Sequence, residues 1–571
     1  MTNIQPQTLK QPPPPLLPRP IKLPTTSEVM LPNGLLVVVV EDHRLPLVSY
    51  RLALRSGDAH DPADLPGLID MLTGLLTEGT ESRTSREIAD EVARLGATLQ
   101  AGANSDYTTV AASSLTTFSD EILEMLADVT LHPVFPENEV DLTRQNTKES
   151  LKQQRAQPSF LATEMVAKVM FGNHPYSVTA PTPESIDRTT RERLIEFHRS
   201  SFVANNAVML VAGDIKQDAL LKRIEELFGK WGQGAVAGND FPPPPQRSSR
   251  AAYVIDRPGS AQANIVIANE GITRTSPDYF PMLVMHTVLG ANASSRLFMN
   301  LREEKGYTYG AYSRLDARRT AGTFRATAEV RTPVTGDSLK EFFYELGRIR
   351  KEPVTEKELA DAKSYLTGVF PIRLETQEGL IDQLVQIKMF GLPDDYLETY
   401  RNKIQAVTRE QIQEVANKYV TPDKAAIVIV GDAANLSEQI KPYAEDIEYY
   451  HTSGKRKVKS ETSAASIGEY LGRWDLEIDT PLGQSIPATL VLSQGASGLL
   501  GKIESEMGSG ELQSVNIDGE TLTGIVSLDV AGHAIEANVA GEFNGSQLEG
   551  SISLQDAPPL TFTGRRAEDA N

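Results

Sequence analysis

Apolar residues follow two kinds of spacing along the first 450 residues of the chain. β-Branched runs at 35–40 and 48–54 predict strands, and an Asn33-Gly34 turn precedes the first. Apolar residues at helical spacing predict helices at 68–76 and 85–95. Three further segments continue the two patterns: strands at 98–101 and 108–113, and a helix at 118–131. Because strands and helices do not strictly alternate, we predict an α+β fold whose mixed or antiparallel sheets carry helices on one face.

The pattern then repeats itself. Phe171-Gly172 recurs as Phe390-Gly391, and the apolar strand before Gly213-Asp214 recurs before Gly431-Asp432 with the same spacing to within one residue. A period this long is not that of a solenoid and indicates a duplicated domain. We therefore predict two homologous α+β domains, at 27–238 and 250–451.

A different texture begins near residue 467. Short alternating segments, separated by Gly, Asn, Asp and Ser, predict about eight strands in a small all-β barrel or sandwich over 467–571. Such a domain either binds a small apolar ligand or serves as a packed adaptor, and we favour the adaptor.

Three polar or proline-rich stretches separate these regions. Residues 1–26 are predicted to form an extended proline-rich tether, and 239–249 and 452–466 are predicted linkers. The tether has no apolar core, so it is not a signal peptide as written. A tether of this kind suits an exported bacterial protein whose signal has been removed, which favours a periplasmic or extracellular location.

Composition excludes several classes of function. The chain has no Cys, which excludes disulfides and thiolate chemistry. The net charge of −20 makes nucleic acid an unexpected partner. The acidity serves solubility or, alternatively, a preference for basic peptides. No stretch approaches the roughly 20 apolar residues of a membrane span.

Several motifs together resemble those of the pitrilysin/insulinase-type zinc metallopeptidases, the inverzincins, which include processing peptidases. The opening strand with its Leu31-Pro32-Asn33-Gly34-Leu35 turn is similar to theirs, and residues 67–80 resemble their zinc helix. Residues 294–298 and 301–309 resemble the corresponding stretch of their second domain. The resemblance covers roughly residues 27–440.

The zinc motif of that helix is degenerate here. Active members carry His-x-x-Glu-His, in which two His on one helical face bind zinc and the Glu is the general base. The three positions are Asp70, Thr73 and Gly74 in this chain. Glu149 lies about where the resemblance implies a third ligand, although an ordinary charged helix face explains it better. One or two carboxylates do not hold zinc with useful affinity, so we predict no metal in this chain.

A second-domain pair, Arg302 and Tyr309, is retained. In the family, such a pair faces the zinc site across the chamber. An arginine there can orient a substrate carbonyl, and a phenol can stabilise the oxyanion. The alternative is that Arg302 pairs with Glu303 or Glu304 on a surface helix and that Tyr309 is an ordinary sheet residue.

The resemblance implies a non-zinc subunit of a heterodimeric zinc endopeptidase, with zinc supplied by a paralogous partner. An unfolded peptide would bind by adding a strand to an exposed sheet edge. We expect that edge at 263–268, which makes Ala263, Asn264, Ile265 and Val266 substrate-binding candidates. The alternative is a catalytically inactive pseudopeptidase that acts as a peptide-binding or assembly scaffold. A third possibility, hydrolysis by this chain alone with Asp70 and Glu149 as ligands, is the least favoured.

Overall fold

A computed structural model describes residues 23–236, 238–457, 468–479, 485–495, 498–506, 508–518, 520–530, 533–554 and 560–567. The chain divides into two compact units, one ending at Lys455 and the other beginning at Arg456. The first unit contains two α+β halves and the second contains strands. None of the helices in the described residues is both long and apolar enough to span a bilayer.

The first half is a six-stranded mixed sheet in the order β1-β2-β6-β3-β5-β4. Its strands are β1 Thr26–Met30, β2 Leu36–Glu41, β3 Leu47–Leu54, β4 Thr98–Ala103, β5 Thr108–Leu115 and β6 Ala207–Gly213. Its helices are α1 Leu68–Leu75, α2 Ser85–Arg94, α3 Ser119–Leu131, α4 Glu137–Arg155, α5 Pro158–Phe171, α6 Pro183–Arg188, α7 Arg191–Ser201 and α8 Gln217–Phe228. The predicted α+β class is confirmed.

The second half repeats this plan in a seven-stranded sheet in the order β13-β12-β7-β11-β8-β10-β9. Its strands are β7 Ala251–Asp256, β8 Gln262–Glu270, β9 Thr308–Ala317, β10 Gly322–Arg331, β11 Ala426–Gly431, β12 Asp446–Tyr450 and β13 Arg456–Lys457. Its helices are α9 Tyr279–Gly290, α10 Arg296–Phe298, α11 Thr335–Lys351, α12 Glu356–Arg373, α13 Gln377–Phe390, α14 Tyr396–Ala406, α15 Arg409–Tyr419 and α16 Ala433–Ile440. A π-helical turn, Met299–Glu304, directly follows α10.

The expectation of an exposed edge at 263–268 is wrong. β8 lies inside the second sheet, where it pairs with β10 on one side and with β11 on the other. Ala263 and Ile265 are fully buried. Because both sets of backbone hydrogen bonds are already used, residues 263–266 cannot accept an added strand. The end strand on that side of the sheet is β9, and β4 ends the first sheet on the side away from β1.

Each sheet is also covered on its second face, by a helix of the other half. Val37 and Val39 of β2 face the helices of their own half, whereas Val38 and Val40 join the core formed with the second half. α13 packs on β3 and β6 there, and α5 packs on β8 and β11 of the second sheet. The exchange explains why the central strands β6 and β11 are continuously apolar instead of alternating.

These two exchanged helices are the repeated elements recognised in the sequence. Gly172 directly follows α5 and Gly391 directly follows α13, and both have positive φ, at +56° and +64°. Such a conformation favours glycine because it has no Cβ. The Phe-Gly repeat therefore marks the ends of two equivalent helices.

A hairpin tip locks the two halves together. The turn between β9 and β10 reaches the first half, where Arg318 Nη1 donates to Ser105 Oγ at 3.0 Å. The buried carboxylate of Asp106 accepts from the Tyr176 hydroxyl and from the backbone N–H of Arg319. The Arg318 guanidinium lies 4.8 Å from the centre of the Tyr176 ring. Charge-assisted hydrogen bonds of this kind are among the stronger polar contacts in proteins.

The second unit is a closed barrel of eight consecutive antiparallel strands. The strands are β14 Gly472–Asp479, β15 Ser485–Gly495, β16 Gly498–Ser505, β17 Gly508–Asp518, β18 Thr521–Val530, β19 His533–Asn544, β20 Gln547–Leu554 and β21 Leu560–Arg566. Inward-facing side chains such as Trp474, Phe543 and Phe562 are buried in its centre. The prediction of a small all-β domain is confirmed, as a barrel.

Candidate functional site

The helix that resembles a zinc helix, α1, presents two of its three motif positions to solvent. Asp70 and Gly74 are exposed, and a Cβ added to Gly74 would meet no atom within 4 Å. Thr73 is buried, and its hydroxyl donates to the carbonyl oxygen of Asp70 at 3.0 Å. The helix face is therefore open where a ligand would project, but only one carboxylate is present on it.

Carboxyl groups missed by the sequence reasoning surround the start of α1. Asp61 accepts the backbone N–H of Gly67 at 2.7 Å and that of Ile69 at 2.9 Å. Burial raises the pKa of Asp61 to about 7. Burial, followed by the charge of Asp70, raises the pKa of Asp58 to about 7 as well. Partial desolvation by the surrounding residues also raises the pKa of Asp70, although its side chain remains accessible to water.

The residues of this region do not fit a zinc ion. Glu149 is exposed on α4, which packs against α1 through the contact of Leu151 with Met71. In the described residues, no three His, Asp or Glu side chains are arranged so that they could hold a metal. Gly74 has no donor atom. The acidic residues around α1 offer carboxylates without an imidazole, which is not the ligand set that zinc prefers.

Tyr309 projects from the edge of the second sheet. It lies near the start of β9, and its relative exposure of 88% is the largest among the exposed large apolar residues. The register of β9 against β10 shifts by one residue here, so that Tyr309 and Gly310 stand opposite the single residue Glu329. A β-bulge of this kind redirects a side chain, and bulges are frequent beside active sites. The edge position and the bulge together explain the exposure of the phenol.

Arg302 occupies the adjacent element, the π-helical turn Met299–Glu304. The backbone N–H of Tyr307 donates to the carbonyl oxygen of Leu301 at 3.0 Å, which ties the turn to the start of β9. The Arg302 guanidinium is half-exposed and reaches Glu303 only at 4.0 Å. Such an exposed pair holds the arginine weakly, so the guanidinium is available to a ligand.

A buried ion pair fixes the segment that carries this pair. Arg296, 7% exposed, forms two hydrogen bonds to the Glu358 carboxylate, at 2.6 and 3.0 Å. The Glu358 carboxylate also accepts the backbone N–H of Thr355, the N-cap of α12. Hydrogen bonds from Arg296 and Thr355 outweigh burial and lower the pKa of Glu358 to about 2. Arg296 therefore has a structural role, in contrast to Arg302.

The structure does not bring Tyr309 to the α1 helix of the same chain. Asp58 lies beside α1. The positive charge of Arg318, which directly follows the far end of β9, acts to lower the pKa of Asp58. Since a strand rises about 3.3 Å per residue, Tyr309 lies roughly 30 Å along β9 from Arg318. The two groups of candidate site residues are therefore at different places in the molecule.

Comparison with protein families shows the family to which this chain belongs. Residues 36–184 match the family described as insulinase (peptidase family M16), and residues 188–366 match the family described as peptidase M16 inactive domain. The chain belongs to peptidase family M16. The resemblance stated from the motifs is thus confirmed, and the chain is a member of the family without its zinc motif.

Relatives of this chain carry differing descriptions. "Uncharacterized zinc protease YmxG" of Bacillus subtilis is 24% identical, over 71% of this chain and 98% of that protein. "Non-peptidase homolog YmxG" of Helicobacter pylori is 24% identical, over 69% of this chain and 91% of that protein. The "probable mitochondrial-processing peptidase subunit beta" of Arabidopsis thaliana is 21% identical, over 74% of this chain and 81% of that protein.

Solved structures share the fold of the first unit. A crystal structure of a peptidase M16 inactive domain from Pseudomonas fluorescens superimposes with a TM-score of 0.67 at 26% identity, and it covers 71% of this chain and 98% of that one. A protease from Helicobacter pylori superimposes with a TM-score of 0.68 at 20% identity, and the match covers 72% of this chain and 100% of that one. Neither match extends over the whole of this chain.

The aspartates beside α1 predict an unusual pH dependence. A carboxyl whose pKa is raised in the folded state binds more protons than in the unfolded state, so its contribution to stability falls as pH rises from about 4 through 7. Asp58→Asn is expected to reduce the loss of unfolding free energy between pH 5 and pH 8 by on the order of 2 kcal/mol. Urea unfolding at several pH values measures this. The exposed Asp64→Asn in the same loop is the control, and parallel profiles for Asp58→Asn and wild type would contradict the expectation.

Proposed function

We propose that this M16 chain is the non-zinc, substrate-binding subunit of a heterodimeric zinc metalloendopeptidase that acts on unfolded peptides. The single observation that carries the proposal is the contrast between α1 and β9. α1 has lost its donor atoms at Gly74, whereas β9 presents Tyr309 almost fully exposed at a bulge, with Arg302 on the turn beside it. An exposed phenol at a sheet edge has no evident packing role.

The separation of these two elements favours a second chain. Because Tyr309 lies far along β9 from the α1 region, it is poorly placed to act with its own degenerate helix. It is free to face a paralogous partner that carries an intact His-x-x-Glu-His helix and holds the zinc. The Arabidopsis relative, described as a processing peptidase subunit, is a precedent for a multi-chain enzyme of this family.

Each member of the pair has a defined task in this arrangement. The Tyr309 O–H would donate to the scissile carbonyl oxygen as negative charge develops on it, which is the role of an oxyanion-hole donor. The Arg302 guanidinium would bind a carbonyl or the carboxyl-terminal side of the peptide and hold the bond in place. In this proposal the partner supplies the metal ligands and the general base.

A peptide would bind by strand addition to a free sheet edge. Among the end strands of the two sheets, β4 packs beside α1 and β9 carries Tyr309, so these two edges are the candidates. In strand addition the affinity comes mainly from hydrogen bonds to the peptide backbone, so this mode suits unfolded substrates of varied sequence. The net charge of −20 would favour basic peptides among them.

A second candidate function is a pseudopeptidase that holds peptides or assists assembly without catalysis. The observation that favours it is the additional eight-stranded barrel, which lies outside the region matched to the family. The description of the Helicobacter pylori relative as a non-peptidase homolog is consistent with it. The experiment below separates the two candidates.

Reconstitution of cleavage tests the proposal. The chain is assayed on a quenched fluorescent peptide alone, with a paralogous chain that carries an intact His-x-x-Glu-His motif, and with that chain after its motif Glu is changed to Gln. We expect no activity from this chain alone and at least about tenfold faster cleavage by the mixture than by the partner alone. A mixture no faster than the partner alone would favour the scaffold function.

A further inference from the structure

The helical side of the second half contains an aromatic groove with two cations that form no ion pair within the described residues. The groove has a volume of about 590 Å³ and lies between the start of α9 and the loop that joins α13 to α14. Its walls include Tyr279, Phe280, Pro393 and Tyr396, and Arg274 and Lys403 are its cations. Its lining contains no Asp or Glu among the residues that the structure describes, although acidic residues outnumber basic ones by 76 to 56 in the chain.

Arg274 is the central feature of this groove. The residue is only 7% exposed, and its Nη2 donates to the Tyr396 hydroxyl at 2.7 Å. Its guanidinium carbon lies 3.9 Å from the centre of the Tyr279 ring and 5.0 Å from that of Tyr396. Within the described part of the chain it forms no ion pair with a carboxylate. A buried arginine normally has an anionic partner, so this site has capacity for an anion.

Lys403 provides the second charge. Its ammonium nitrogen lies 5.6 Å from the centre of the Phe280 ring and likewise pairs with no carboxylate of the described residues. Two nearby acidic residues have other partners: Asp278 pairs with Lys418, and Asp394 pairs with Lys388.

The geometry points to a binding site for a small molecule that carries a carboxylate on a flat aromatic body. The planar guanidinium of Arg274 matches a carboxylate through two parallel hydrogen bonds. The rings of Phe280 and Tyr279 offer an apolar surface for an aromatic ring. The volume is that of ordinary small-molecule sites. This site lies apart from Arg302 and Tyr309 in the sequence and does not depend on the proposed peptidase function.

Titration with 2-naphthoate tests the site, with 2-naphthamide as the uncharged probe of the same shape. Isothermal titration calorimetry on the full chain is expected to show saturable binding of one naphthoate, with the amide at least about tenfold weaker because it lacks the charge-assisted pair. Lys403→Gln is expected to weaken naphthoate several-fold, and Arg274→Lys to weaken it further because lysine cannot form the bidentate contact.

Controls keep the outcome decisive. Lys357→Gln, on the exposed face of α12, is expected to leave naphthoate binding unchanged. Thermal melts identify any variant at Arg274 that fails to fold, in which case Lys403→Gln and the amide probe carry the test. Equal affinity for the two probes, no saturable binding, or binding insensitive to Lys403→Gln in a folded protein would overturn the assignment.

Discussion

Replacing Tyr309 by phenylalanine is expected to slow peptide cleavage by the mixed enzyme about 10²-fold, since loss of one oxyanion donor typically has that effect. The change should appear in kcat and in kcat/KM alike, because the phenol contacts charge that develops only in the transition state. The ring remains, so strand pairing and substrate affinity should be little changed. Steady-state kinetics with a saturating partner chain measures both constants.

A second tyrosine on the same strand offers a matched control. Tyr312 is 42% exposed, and its ring lies 5.7 Å from that of Phe298. Tyr312→Phe should leave the rate within about twofold if only the bulged phenol acts on the substrate. Equal effects of the two substitutions, or no effect of Tyr309→Phe in a mixture shown to be active, would contradict the assigned role.

Removing the Arg296 side chain is expected to have the largest effect on stability. Arg296→Ala leaves the Glu358 carboxylate without its buried partner, and breaking such a pair costs about 3–5 kcal/mol. Because the pKa of Glu358 is lowered to about 2, the wild-type contribution is present above pH 4.5 and is lost as pH falls toward 2. Urea unfolding of wild type and variant at neutral and acidic pH measures both effects.

The neighbouring arginine separates structure from function. Arg302→Ala, on the exposed π-helical turn, should change the unfolding free energy by no more than about 0.5 kcal/mol. It should nevertheless slow cleavage by the mixed enzyme. If Arg296→Ala is no more destabilising than Arg302→Ala, the Arg296–Glu358 pair does not hold this segment.

Local sequence patterns predicted the elements well but did not predict their order in the sheets. The run at 35–40 is continuously apolar and the run at 263–268 is interrupted only by Asn264, a pattern typical of strands buried on both faces. That pattern argues for a central position, but strand order is set by pairing between distant segments, and β8 lies beside β10 and β11. The mistaken edge at 263–268 was taken from the family resemblance and not from this pattern.

The candidate site was predictable only in part. The loss of the general base at Thr73 and of a zinc ligand at Gly74 could be predicted directly from the motif. The bulge at Tyr309 could not, because it depends on the register between β9 and β10. The raised pKa values of Asp58 and Asp61 arise from burial against α1, and only their spacing in the loop before that helix hinted at a role.

The exchange of α5 and α13 has a consequence for synthesis in the cell. The last strand of the first sheet ends at Gly213, but the helix that covers its second face ends at Phe390. Synthesis proceeds at roughly 5–20 residues per second, so this apolar sheet face stays uncovered for on the order of 10 s or more until α13 has been made. The nascent first half exposes Val38, Val40 and Leu210 during this time, which makes it a natural client for chaperones that bind apolar surfaces.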